Sequence, residues 1–282
     1  LNNKVHTEVN HSSYDAWSHG GGIYISGTSN VTLQNCIIND NWAYTQDHNS
    51  NGSSVGYVFG GGVYSNVSGT TTITDCEIAR NEVSWGGHNI DARSAGVYVG
   101  GGTANLTNVT VAYNENWQGL YREGGTLNVI SSIIWGNSSD DAGSINYSYT
   151  NRQGSSPSGE GNITKDPWFV DSGSGDYHLL PGSVCINRGD ISESDADGTR
   201  RDMGVYIYTD AHQGPEWYVS SDGDQLTGDG SEGNPLSSIL AAVNLANEGD
   251  AIIVSEGTYT GEGNHNIYFL GKALTLHSET GI

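Results

Sequence analysis

The 282-residue chain can hold one large β domain or two ordinary ones, and 41 Gly against only 5 Pro exclude both a collagen-like repeat and a Pro-rich linker. Ten Lys and Arg face 32 Asp and Glu, a formal charge of −22 that sets the surface against nucleic acid and anionic membranes. The acid is mixed with 16 Tyr and 7 Trp along the whole chain, so it is not a disordered acidic tail. No signal-peptide pattern is visible, and no apolar run is long enough for a spanning helix, so no membrane insertion is expected. Cys36, Cys76 and Cys185 fit neither a CxxC motif nor a metal-ligand spacing, and read as small buried hydrophobes.

From the N-terminus, "LNNKVH" begins without Met, which raises the expectation of a processed or excised segment. The stretch "GGGIYISGTSNVTLQNCIINDN" (20–41) returns as "GGGVYSNVSGTTTITDCEIARN" (60–81), and Asn41, Asn81, Asn114 and Asn137 mark four repeats spaced 40, 33 and 23 residues apart. Short alternating stretches precede each of them, at Val31-x-Leu33, Thr71-x-Ile73, Ala104-x-Leu106 and Leu127-x-Val129. Five residues before each asparagine stands a small residue: Cys36, Cys76, Val109 and Ser132. Each repeat is predicted to be two or three short strands with Gly and Asn at the corners. A lone repeat cannot bury its inward side chains, whereas stacked coils at about 4.8 Å per layer can. Stacking puts like above like, so Cys36 should fill an inward slot above Cys76. The asparagines should form a corner ladder, aided by their tolerance of left-handed backbone.

Between repeats the sequence predicts loops at 42–59, 82–94 and 115–123, with 6–19 ahead of the first. Stacking should gather them on one side. They carry His11, Tyr14, Asp15, Asp47, His48, His88, Asp91, Arg93, Arg122 and Glu123, with six candidate carbohydrate-binding aromatics: Trp17, Trp42, Tyr44, Trp85, Trp117 and Tyr121. Indoles among amides and carboxylates suit sugar rings, although the same aromatics can simply pack loops onto coils. A glycosidase would need paired carboxylates, for which Asp47 with Asp91, or Asp91 with Glu123, are the candidates.

Further along, "DPWFVDSGSGDYHLLPGSVCINRGD" (166–190) and "DADGTRRDMGVYIY" (195–208) resemble the closing segment of secreted right-handed parallel β-helix proteins with pectate-lyase-like coils. The resemblance extends over nearly the whole chain and implies an all-β solenoid located outside the cell or on its surface. After a short linker (209–215), "EWYVSSDGDQLTGDGSEGNPLSSILAAVNLANEGDAIIVSEGTYTGEG" resembles the opening of the same family instead of its end. Independently, Asn234-Pro235 reads as a helix start, Ile239, Ala242, Val243 and Ala246 share one face, and Gly249 is a stop. A short cap helix is therefore expected near 236–248, then a buried strand "AIIV" and a first coil "ALTLHSETGI". The organisation expected is β-helix coils and closing segment over 1–208, a linker over 209–215, and the cap and first coil of a second unit over 216–282. By the same resemblance, a lyase on this fold would use Ca2+-holding carboxylates with an Arg or Lys base, and only Arg93 and Arg122 lie in the loops. No catalytic motif of the family stands at matching positions.

Two acidic, Gly-rich loops offer oxygen ligands at alternate positions, as Ca2+ prefers. Asp195, Asp197 and Asp202 form one candidate set, and Asp222, Asp224 and Asp229 the other. The sequence thus leads to a structural or adhesive β-helix protein, in which Leu1 could continue Ile282 of the next subunit and build a filament or array. The rival is a module that binds or cleaves extracellular glycans.

Overall fold

The computed structural model describes residues 4–9, 16–47, 55–87, 89–155, 157–261 and 263–280, those at 4–9 and 47 by backbone only. The described chain is nearly all parallel β-structure with one short helix, and divides into two compact units. One comprises residues 1–165, 188–191 and 203–205; the other comprises 166–187, 192–202 and 206–282. This grouping places the "DYHL" strand with the helix.

In the first unit each repeat gives strands to several parallel sheets, and neighbours within a sheet are one repeat apart. The largest runs through Ile23–Gly27, Val63–Thr74, Val97–Thr107, Thr126–Ile130 and Asn146–Ser148, with Val31–Gln34 and Leu120–Arg122 paired beside them. A five-stranded sheet holds Ile37–Asn39, Glu77–Ala79, Thr110–Ala112, Ile133–Trp135 and Asn151–Arg152. Rows of inward residues follow the register: Leu33, Ile73, Leu106 and Val129 form one, and Ile38, Ile78, Val111 and Ile134 another. Each such burial contributes about 1.5–3 kcal/mol, and a one-residue slip would turn a whole row outward, so these rows fix the register. Glycine serves the layer spacing: a Cβ on Gly61 would stand 2.6 Å from the Ala95 carbonyl oxygen of the next repeat.

The segments expected as loops are largely strands. Lys4–Val9, Trp42–Asp47 and Glu82–Gly87 form one three-stranded parallel sheet, and Ala16–His19, Gly56–Phe59 and Ile90–Arg93 form another. Their polar and aromatic residues suggested loops, yet Ala43, Thr45, Val58, Val83 and Ala92 alternate inward and are buried.

In the second unit Phe169–Asp171 pairs antiparallel with Asp176–Leu179, and a parallel sheet joins Glu216–Val219, Ala251–Val254 and Thr275–Ser278. The helix is shorter than expected, Ile239–Leu245. It starts at Ser238, whose Oγ accepts the Ala241 N–H at 3.2 Å, and not at Asn234-Pro235, because Leu236 is extended and bridged to Val219. Its buried face carries Ala241, Ala242, Val243 and Leu245, while Ile239 is only half-buried. Lys272 closes the far end, its Nζ donating to the carbonyls of Val243, Asn244 and Ala246 at 2.8, 2.9 and 2.6 Å. Of "AIIV", only Ile252 is fully buried.

Candidate functional site

The four repeat asparagines form a continuous ladder. Asn41 donates its backbone N–H and Nδ2 to Asn81 Oδ1 at 3.0 and 2.7 Å; Asn81 does the same to Asn114, and Asn114 to Asn137. The remaining Nδ2 hydrogens of Asn81, Asn114 and Asn137 go to the carbonyls of Ile38, Ile78 and Val111. The left-handed corner is not at these asparagines but one residue earlier, at Asp40, Arg80, Tyr113 and Gly136. A second left-handed column precedes the small slot, at Asn35, Asp75, Asn108 and Ser131. In that slot Cys36 N–H faces Cys76 Sγ at 3.4 Å, and Val109 N–H donates to Ser132 Oγ at 3.1 Å. Burial pushes the Cys76 thiol up to about 11, which keeps it a neutral packing group.

Aromatic side chains stack along the same direction. Tyr24, Tyr64, Tyr98 and Tyr121 form a column with centroids 5.1, 5.0 and 5.7 Å apart and planes within 6°. Of these only Tyr121 was a sequence candidate; the shared offset in "GIY", "GVY" and "GVY" is the signal for the other three. Trp17 stacks on Tyr57 at 3.8 Å, and Trp85 on Trp117 at 6.1 Å. Trp42 donates to Ser84 Oγ, and Tyr44 to Gln46 at 2.8 Å. The candidate aromatics therefore fall in separate columns, with Trp17 and Trp85 the most exposed, at 50 % and 43 %.

Arg93 gathers the charged candidates. Its guanidinium donates to both Asp91 oxygens at 2.7 and 2.8 Å, lies 3.3 Å from Glu123, and donates to the Tyr121 hydroxyl. Tyr98 donates to the same Glu123. Hydrogen bonding to Asp91 pushes the Arg93 guanidinium above its ordinary range and favours its charged form. Arg122 is turned to the Gly125 carbonyl. His11, Tyr14, Asp15, His48 and His88 lie outside the described residues, as does the side chain of Asp47.

Of the acidic loops, the first turns its carboxylates onto its own backbone. Asp202 accepts the N–H groups of Asn187 and Tyr208, both at 2.7 Å; Asp195 accepts that of Asp202 and pairs with Arg201; Asp197 accepts those of Thr199 and Asp210. Burial pushes Asp202 up to about 8, and burial also raises Asp195 and Asp210. In the second loop Asp224 accepts from Leu226 and Thr227, Asp229 from Ser231, and the Asp222 N–H donates to Ser220. Among the described residues no group of three or more His, Cys, Asp or Glu is placed to hold a metal ion. No protein-family description, curated protein or solved structure matches the chain.

Proposed function

We propose that the parallel sheets of the first unit are coils of a right-handed parallel β-helix, and that the protein is an extracellular structural or adhesive module that stacks end on end. The observation that carries this reading is the repetition of identical side chains in register across layers. The Asn ladder and Tyr column run through four repeats, as stacked layers of one repeating coil would place them. Among the described residues the Ile23–Gly27 and Ile37–Asn39 strands are the outermost of their sheets, with Tyr24 and Ile37 exposed by 55 % and 58 %. Exposed apolar and aromatic side chains on that layer suit packing against another β-layer of matching register, which a second copy of the chain would supply.

Light scattering over a wide concentration range, with and without Ca2+, tests the reading. Growth in mass with concentration, abolished by Ile37→Lys, is expected. A monodisperse species at every concentration in both conditions would contradict it.

The rival, a carbohydrate-binding or polysaccharide-cleaving module, draws support from the half-exposed rings of Trp17 and Trp85. Binding on a glycan array lost in Trp17→Ala or Trp85→Ala would favour it. The engagement of Arg93 with Asp91 and Glu123 weighs against a cleaving version.

A further inference from the structure

The second unit contains a cleft of about 520 Å³ beside its short helix, within the range of small-molecule sites. One wall is apolar, formed by Trp168, Leu180 and Pro181. The edge of the Trp168 ring lies beside Gly263, where a Cβ would stand 3.4 Å from its Cη2. Trp168 adopts left-handed backbone (φ 50°), costly for a bulky residue, and two hydrogen bonds hold it there. Asp166 accepts its N–H at 2.9 Å, and its carbonyl accepts the Leu180 N–H at 2.8 Å.

Three of the lining polar side chains are already satisfied within the chain. Asn264 accepts from the Ile239 N–H at 3.0 Å and donates to the Ser237 carbonyl at 3.2 Å. Tyr259 donates toward the Ser255 and Val219 carbonyls. Among the described residues the lining carboxylate is Asp224, engaged by two backbone N–H groups. By contrast, the side chains of Ser221, Gln225, Ser237, Thr258 and Thr260 line the cleft without a hydrogen bond among the described residues. Among the described residues no Lys, Arg or His lines it, so no lining cation there would compensate an anionic ligand.

We propose that this cleft binds a neutral, hydroxyl-rich ring of mono- or disaccharide size, its apolar face on Trp168 and its hydroxyls on the unbonded lining side chains. An indole sharing one cleft with hydroxyl and amide groups suits a sugar, which has an apolar face and a polar perimeter. The absence of basic lining selects against uronates, sulfates and phosphates. Neither Trp17 nor Trp85 lines the cleft, and binding there does not depend on end-on stacking.

Saturation-transfer NMR on the full chain tests it, with cellobiose, maltose, lactose and N,N′-diacetylchitobiose as probes and digalacturonate as the anionic control. At least one neutral disaccharide should receive saturation, and digalacturonate none. Trp168→Ala should abolish the transfer, while Trp17→Ala and Trp85→Ala leave it unchanged. Should Trp168→Ala fail to fold, the rim double variant Gln225→Ala/Thr258→Val decides, with binding at least about fivefold weaker expected from two lost hydrogen bonds. Silence from all four neutral probes would overturn the proposal. So would unaltered affinity in the rim variant, loss on Trp17→Ala or Trp85→Ala, or digalacturonate binding as well as the neutral sugars.

Discussion

At Asn81 one carboxamide serves three layers. Its Oδ1 accepts two hydrogen bonds from Asn41, while its Nδ2 donates to Asn114 and to the Ile38 carbonyl. Asn81→Ala leaves several buried groups unpaired, and should cost about 2–4 kcal/mol by urea denaturation. The outward pair offers a contrast: Asn128 donates to Asn105 at 2.8 Å near solvent, so Asn105→Ala should cost under about 1 kcal/mol. The Asn ladder was legible because a buried amide column demands the same residue in every layer. The left-handed corners were not, since Asp40, Arg80 and Tyr113 share no chemistry. What they share is position: their N–H groups reach the carbonyls of Ala79, Ala112 and Trp135 in the next layer, and that stacking imposes the backbone on whichever residue stands there.

Between elements, the layer spacing rests on residues without a side chain. A methyl on Gly61 would meet carbonyl oxygens of Ala95 and Glu82 at 2.6 and 2.7 Å, and backbone cannot swing aside. Gly61→Ala should therefore destabilise by about 1–3 kcal/mol, while Gly233→Ala, with nothing within 4 Å, should be near neutral in thermal melts. The Gly triplets announced this in the sequence. The parallel strands Trp42–Asp47 and Glu82–Gly87 were hidden, because large aromatic and polar residues on their outer face masked the small inward ones at Ala43, Thr45 and Val83. In the second unit, the loop around Asp202 should respond to pH with the reverse of the usual carboxylate sign. Its folded pKa, about 8, lies above the unfolded value of about 3.9, so the folded state binds the extra proton. The stability this gives is full below pH about 4 and is lost as pH rises through about 8. Hydrogen exchange of the Asn187 and Tyr208 amides, corrected for intrinsic rates, should accelerate across that window and flatten in Asp202→Asn.

For the molecule as a whole, a formal charge of −22 opposes any encounter between two copies. Stacking through the edge at Tyr24 and Ile37 must overcome that repulsion, so association should strengthen as salt shortens the screening length to about 8 Å at physiological ionic strength. Sedimentation velocity at low and at physiological salt checks this. The parallel β-structure was readable at this scale because the repeat length, the Gly triplets and the Asn column favour like strands paired with like. Function was less so: the sequence placed its aromatics in loops, while the folded chain spends most of them on one another. Fibre diffraction from concentrated protein tests end-on stacking most directly. Filaments with a reflection near 4.8 Å along the fibre axis, absent in Ile37→Lys, are predicted. Isolated particles at every concentration, or filaments with that reflection across the axis, would contradict it.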